Sequence, residues 1–222
     1  MPVRSVPGSA SVAAPEGGKL FAPAAARNSG VLCDLLAEVA PPQGRALELA
    51  SGTGQHVAAY AARLPGLMWQ PSEAEAARLA SIQAYADEAG LANIAPPVLL
   101  DATAPGWGAD HPEQDLIVLI NLLHLISEEE TKTLIAEAAA ALAPGGCFVI
   151  YGPFMRGGEL TSEGDRNFHA ALRTHDPQIG YKDDFDTIDW LHGTGLELLQ
   201  AVEMPANNLA LVAQKSGGLT GN

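Results

Sequence analysis

Arg45-Ala46-Leu47-Glu48-Leu49-Ala50-Ser51-Gly52-Thr53-Gly54-Gln55-His56-Val57 is the stretch from which this chain is best read. An apolar run leads into a glycine turn and then into the start of a helix, the pattern of a buried strand feeding a tight βα junction. In an open α/β sheet, ligands bind at such junctions, outside the carboxyl ends of the strands. Gly52 and Gly54 remove Cβ atoms where the chain turns sharply and where a ligand can lie against backbone amides.

Outward from this junction the chain alternates. Upstream, Val31, Leu32, Leu35, Leu36 and Val39 form a helical stripe that Pro41-Pro42 ends. Downstream, strands are expected at 67–70, 98–100, 115–121 and 147–151, after the first at 46–50, with helices at 55–64, 72–89 and 127–142. Gly90 closes the second of these helices. Ser127 and Glu130 form a capping box at the start of the third. Five strands with helices between them predict a parallel, doubly wound sheet. Helices at 162–174 and 187–192 follow. Strands at 196–202 and 208–213, joined through Met204-Pro205-Ala206-Asn207, predict an antiparallel pair. Residues 1–20, rich in Pro, Gly, Ser and Ala, read as a flexible tail before a single domain over 21–222.

Composition narrows the function. The formal net charge is −14, with twelve scattered Lys and Arg, which disfavours nucleic acid and anionic membrane surfaces as partners. The longest apolar run, 116–126, is too short for a membrane span and carries Asn121 and His124. The N-terminus lacks an apolar signal core. The two cysteines, Cys33 and Cys147, read as free thiols, consistent with a reducing, cytoplasmic setting. His169, His175 and His192 lack ligand spacing, so no metal site is expected. No Gly-x-Ser-x-Gly elbow supports a hydrolase.

A dinucleotide fingerprint requires a third glycine where Val57 stands. The remaining pattern, Glu48-x-Ala-Ser-Gly-Thr-Gly, resembles the first motif of class I S-adenosylmethionine-dependent methyltransferases, with Ala50 in place of the usual first glycine. Leu100-Asp101-Ala102 and Leu142-Ala143-Pro144-Gly145-Gly146 resemble later features of that class. Ala26-Arg27-Asn28, Trp69-Gln70-Pro71-Ser72, Asn121-x-x-His124, Tyr151-Gly152-Pro153-Phe154 and Met204-Pro205-Ala206-Asn207-Asn208, in that order along the chain, together resemble one poorly characterised methyltransferase-like family, from about Phe21 to Lys215. The resemblance implies a Rossmann-like, seven-stranded sheet, mostly parallel with an antiparallel final strand and helices on both faces.

It also implies S-adenosylmethionine as cofactor and assigns residues to it. Glu48, Ala50, Gly52, Thr53 and Gly54 form the loop. Gln70 and Pro71 stand at the ribose, and Asp101 and Ala102 at the adenine. Asn121 faces the methyl donor, while Arg27 and Asn28 close over the methionine carboxylate. His124 is the first candidate base and Tyr151 an orienting hydroxyl. The segment 157–186 is expected to form much of the acceptor wall, with Asn167, His169, Tyr181 and Lys182 as candidates. A small-molecule acceptor is favoured over a protein.

Plainer readings stand beside these. Asp101 can be a turn cap, Asn121 a strand-end residue, His124 a packed core histidine, Trp69 and Tyr151 packing residues, and Arg27 a surface ion-pair partner. At the level of function, a binding module that holds the cofactor without transferring methyl groups remains open, and so, further off, does an NAD-linked oxidoreductase. Oligomeric state is not legible.

Overall fold

The computed structural model of the chain describes residues 13–16 and 18–217. Of the expected N-terminal tail, residues 1–12 and 17 lie outside the described residues. β1 (Ala13–Glu16) and β2 (Lys19–Phe21) pair as a small antiparallel ribbon.

The alternating part of the chain runs α1 (Pro23–Val39), β3 (Gly44–Leu49), α2 (Gln55–Arg63), β4 (Leu67–Glu73), α3 (Ala76–Ala89), β5 (Val98–Leu99), a short α4 (Trp107–Asp110) and β6 (Gln114–Ile120). A 3₁₀ turn at Leu123–Leu125 leads to α5 (Glu128–Ala141) and β7 (Leu142–Met155). The last third comprises α6 (Glu163–His175), β8 (Lys182–Asp183), α7 (Asp184–Gly193), β9 (Leu196–Met204) and β10 (Asn208–Lys215).

The main sheet has the order β5-β4-β3-β6-β7-β10-β9. The first five strands pair in parallel, and β10 is antiparallel to both its neighbours. β8 adds an eighth strand, pairing in parallel with the far end of β7 through Phe154 and Met155. The chain winds outward from β3 through β4 to β5, then crosses back to β6. The switch point therefore falls between β3 and β6, where an open α/β sheet offers its crevice.

Both faces of the sheet are covered, which is why its strands read as apolar runs without alternation. Leu47, Leu49, Ile117, Leu119, Phe148 and Ile150 pack against α5 and α7 through Leu134, Ile135, Ala138 and Leu191. Ala46, Leu116, Val118, Val149 and Tyr151 pack against α1, α2 and α3 through Leu32, Leu36, Val57, Tyr60 and Ile82. Each fully buried aliphatic side chain contributes about 1.5–3 kcal/mol. Trp69 belongs to this second layer and is wholly buried, so it packs the core.

Several expected boundaries move for physical reasons. Ser127 accepts from the Glu130 amide while the Glu130 side chain accepts from the Ser127 amide, the expected capping box. Gly90 ends α3 at φ +62°. The helix expected from residue 72, however, begins only at Ala76. Ser72 and Glu73 remain in β4, paired with Val98 and Leu99. β7 starts five residues early, because Leu142 pairs with Gln114 before a register shift absorbs Pro144-Gly145-Gly146. α7 starts at Asp184 because the Asp183 carboxylate accepts from the Phe185 and Asp186 amides.

Candidate active site

The loop after β3 runs over the carboxyl ends of the parallel strands and turns through three positive φ angles. Ala50 is at +52°, Gly52 at +59° and Gly54 at +95°. The two glycines are required for different reasons. A Cβ on Gly54 would lie 2.6 Å from Ile82 Cα, so this residue is small to let α3 approach the loop. A Cβ on Gly52 would meet nothing closer than the Ala50 carbonyl at 3.9 Å and the Arg78 guanidinium at 4.0 Å, so it would project into open space. Ala50 occupies a backbone region that costs an L-residue roughly 1–2 kcal/mol.

That open space is a cleft of about 520 Å³. Ala50, Ser51, Gly52 and Thr53 form one side, and Leu99, Leu100, Asp101 and Ala102 another; Ile120, Asn121 and Leu122 from the end of β6 close a third. Four carboxylates line it: Glu48, Glu73, Glu75 and Asp101. Its one cationic side chain among the described residues, Arg78, is held by Glu75 at 3.1 Å.

Glu73 organises the loop. Its Oε2 accepts from the Gly52 amide at 2.9 Å, and its Oε1 accepts from the Ala74 and Glu75 amides at 2.8 and 3.2 Å. A carboxylate offers about four lone-pair sites, so one remains, and Glu73 lines the cleft. Glu48, beneath the loop, is 1% exposed, and its Oε2 has no hydrogen-bond partner. Burial pushes its pKa up to about 8, the Glu73 carboxylate adds to the rise, and the Ser51 hydroxyl opposes it. Asp101 Oδ1 accepts from both the amide and the hydroxyl of Thr103, at 2.9 and 2.7 Å, so it caps its turn while lining the cleft. Asn121 reaches φ +57°, a conformation that asparagine tolerates better than most residues.

The cleft adjoins a second cavity of about 420 Å³, and Ala24, Asn121 and Leu125 line both. Arg27, Asn28, His124, Tyr151, Phe168 and Tyr181 supply its polar and aromatic lining. Asn28 ties the two spaces together. Its Oδ1 lies 2.8 Å from Nε2 of His56, a residue of the first cleft. The Tyr151 hydroxyl is bonded to both Asn28 and Asn208, and Asn208 Nδ2 donates to the Pro205 carbonyl at 2.9 Å. Both bonds favour the phenolate, so both side-chain amides donate to the Tyr151 oxygen; Asn208 Nδ2 has a second hydrogen for this.

Burial sets the protonation states. It lowers His56 to about 4, against a smaller opposing effect from the Ala25 backbone, and it lowers His124 to about 3, assisted by the Lys182 ammonium. It also raises Tyr151 above the ordinary phenol range. At neutral pH both imidazoles are uncharged, and Tyr151 is a hydroxyl.

Several expected positions fall elsewhere. The Gln70 side chain donates to the Pro71 and Pro96 carbonyls at 3.0 and 2.8 Å, and neither Gln70 nor Pro71 lines the cleft. Glu73, which falls inside the helix expected over 72–89, ends β4 and lines the cleft instead. Arg27 and Asn28 line the second cavity and not the cleft beside the loop. Gly54 packs against α3. Of the expected acceptor wall, Tyr181 lines the cavity, together with Phe168, which the sequence did not single out. Lys182 is spent on the Leu123, Ile126 and Gly180 carbonyls at 2.9, 2.7 and 3.0 Å, and His169 Nδ1 accepts from the Tyr181 amide. Asn167 is exposed on α6. His56 was also overlooked, although its place two residues after the second glycine was a usable signal.

Among the described residues, no group of three or more His, Cys, Asp or Glu side chains is arranged to hold a metal ion, and no helix is long and apolar enough to cross a membrane.

The strand order, the antiparallel β10 and the crevice at the switch point define a Rossmann-like methyltransferase fold, and solved structures agree. An O-methyltransferase family protein from Burkholderia thailandensis superposes with a TM-score of 0.74 at 19% identity, over 88% of this chain and 58% of that one. Human N-acetylserotonin methyltransferase, solved with S-adenosylmethionine, gives a TM-score of 0.68 at 15% identity, over 87% of this chain and 53% of that one. An O-methyltransferase family 2 protein from Planctomyces limnophilus, solved with apigenin, gives a TM-score of 0.68 at 18% identity, over 86% of this chain and 60% of that one. The chain thus spans little more than half the length of these structures, and at such identities the likeness is one of fold. By sequence the chain belongs to the family described as "protein of unknown function (DUF938)", whose model matches residues 19–215.

Proposed function

We propose that this chain is an S-adenosylmethionine-dependent methyltransferase acting on a small-molecule acceptor. The observation that carries the reading is the acidic cleft at the switch point, opening past Ala24, Asn121 and Leu125 onto a separate cavity. A cationic donor suits the first space, and an acceptor suits the second.

The residues present fit the cofactor. Glu48 Oε2 is a buried acceptor without a partner, as a methionine ammonium requires. The loop leaves room at Gly52 where a side chain would intrude. Glu73 has a lone-pair site left for a ribose hydroxyl, and Asp101 stands across the cleft for the adenine amino group. Ala50, Thr53, Ala102 and Asn121 would then be contact residues. When bound, S-adenosylmethionine supplies an electrophilic methyl on sulfonium sulfur, so that a lone pair of the acceptor forms the new bond as the C–S electron pair returns to sulfur.

The chain's own contribution is alignment, which accounts for a large part of the acceleration when reacting atoms are held in line. Asn121 and Leu125 form the shared wall across which donor and acceptor face each other. Tyr151, whose oxygen accepts from Asn28 and Asn208, keeps its hydroxyl proton to donate to the acceptor. His124, kept neutral by burial, is a weak base that orients the acceptor's nucleophilic atom by hydrogen bonding.

Calorimetry tests the reading directly. S-adenosylmethionine is expected to bind in the micromolar range, about −8 kcal/mol. No detectable heat at saturating ligand overturns it. Binding without release of S-adenosylhomocysteine across a broad acceptor panel would instead support the binding-module alternative.

A further inference from the structure

The two adjoining spaces are electrostatic opposites. In a chain of net charge −14, four carboxylates line the first cleft, while among the described residues no Asp or Glu lines the second. The second cavity has one cationic side chain, Arg27, which makes no ion pair within 4.0 Å among the described residues. A guanidinium without a carboxylate partner, in a protein with more than twice as many acids as bases, is available to a ligand.

Four rings, those of His124, Tyr151, Phe168 and Tyr181, line that cavity beside Asn28, Asn121 and Asn208. The rings of His124, Phe168 and Tyr181 form a mutual edge-to-face cluster, with centroids 5.7, 6.2 and 6.1 Å apart. Leu125, Val31 and Pro153 add apolar surface. Such walls accept a planar ring by edge and face contacts, and the cavity's size is within the usual range for small-molecule sites.

Arg27 also has a direction relative to the opening. It follows Ala24 by three residues on α1, so it lies on nearly the same helix face and about 4.5 Å further along the axis. Ala24 lines both spaces and Arg27 only the second. A group held by Arg27 therefore lies in the second space, from which a small ring can extend toward Asn121, which lines both. The planar guanidinium fork matches a carboxylate through two parallel hydrogen bonds.

We infer that the acceptor is a planar aromatic carboxylate, its acid group paired with Arg27 and its opposite edge presented toward Asn121 and the first cleft. This assignment rests on the methyltransferase reading and adds to it the chemical class of the acceptor.

The test uses para-hydroxybenzoate and its methyl ester as probes, titrated calorimetrically into the full chain saturated with S-adenosylhomocysteine. The acid is expected to bind at least tenfold more tightly than the ester. Arg27→Gln, a change at an exposed residue, is expected to weaken the acid by tenfold or more and the ester by less than twofold, with Arg27→Lys in between. Equal affinity for acid and ester, or an acid affinity indifferent to Arg27→Gln, overturns the assignment. S-adenosylhomocysteine titrated alone separates the two levels. Failure to bind the wild type overturns the methyltransferase reading itself. A tenfold loss of S-adenosylhomocysteine affinity in Arg27→Gln, with the acid unaffected, moves the guanidinium to the donor side and overturns the acceptor class only.

Discussion

The amide of Gly52 donates to Glu73 Oε2 at 2.9 Å, joining the loop after β3 to the last residue of β4. Through this bond the two strand ends act as one surface. The same carboxylate also holds the Ala74 and Glu75 amides, which delays the start of α3 until Ala76. Glu73→Ala is therefore expected to weaken S-adenosylmethionine binding by tenfold or more, and to loosen the loop as well. Gln70→Ala, outside the cleft, should change affinity by less than twofold. Calorimetry on both variants decides it, and an equal loss from Gln70→Ala would return the ribose contact to that residue.

Glu48 gives the free protein an unusual dependence on pH. Burial holds it protonated to about pH 8, against 4.5 ordinarily, so the folded state binds this proton more tightly than the unfolded chain. Its contribution to stability is complete below pH 4.5 and is lost as pH rises toward 8, on the order of a few kcal/mol. His56 and His124 act in the opposite sense, lowered from 6.5 to about 4 and about 3; their contribution is complete above pH 6.5 and lost as pH falls. Between pH 6.5 and 8 the Glu48 effect stands alone among these three. Urea unfolding is expected to show stability declining across that window, and Glu48→Gln should flatten the decline. A slope unchanged in the variant would locate the proton elsewhere.

Ligand binding should draw on the same proton. A methionine ammonium beside Glu48 favours the carboxylate, so binding at neutral pH is expected to release a proton. Calorimetry in buffers of different ionisation enthalpy would show it as a buffer-dependent heat, absent in Glu48→Gln. A buffer-independent heat in the wild type places the ammonium away from Glu48.

The two glycines of the loop should fail differently. Gly54→Ala drives a methyl to 2.6 Å from the Ile82 backbone at φ +95°, with an expected cost on the order of 3 kcal/mol and a fall in Tm of roughly 10 °C. Gly52→Ala meets open space and should cost only about 1 kcal/mol, yet its methyl points into the cleft and should reduce cofactor affinity. Thermal melts with and without S-adenosylmethionine separate the cases. Equal Tm losses would mean that Gly52 is also a packing residue.

Burial makes two of the six histidines electrically silent. In an NMR titration His56 and His124 are expected to show no protonation between pH 5 and 8, where an ordinary imidazole titrates. Tyr151→Phe should cost about 1–2 kcal/mol, because Asn28 and Asn208 lose their shared partner. A His124 midpoint near 6.5 would restore it as a general base of ordinary strength.

Much of this was legible in the chain because local patterns carried it. Apolar runs marked the strands buried on both faces, Ser127 and Glu130 marked a helix start, and two strands joined by a short turn marked the antiparallel pair. Glu-Ala-Glu-Ala-Ala from residue 73 favours a helix, and only pairing with Leu99 of β5, remote in sequence but adjacent in space, keeps Glu73 in a strand. The resemblance puts Arg27 and Asn28 over the methionine carboxylate, whereas α1 carries them to the second cavity, beside His124 and Tyr151.

By itself the sequence determined the architecture and the place of the crevice at the switch point, because hydrophobic periodicity and glycine turns act over a few residues. The tertiary structure decided which carboxylates face that crevice, which groups lose their water, and that the acidic and cationic spaces meet at Asn121. Those properties depend on desolvation and on distances between elements remote in the chain, and no local pattern encodes them.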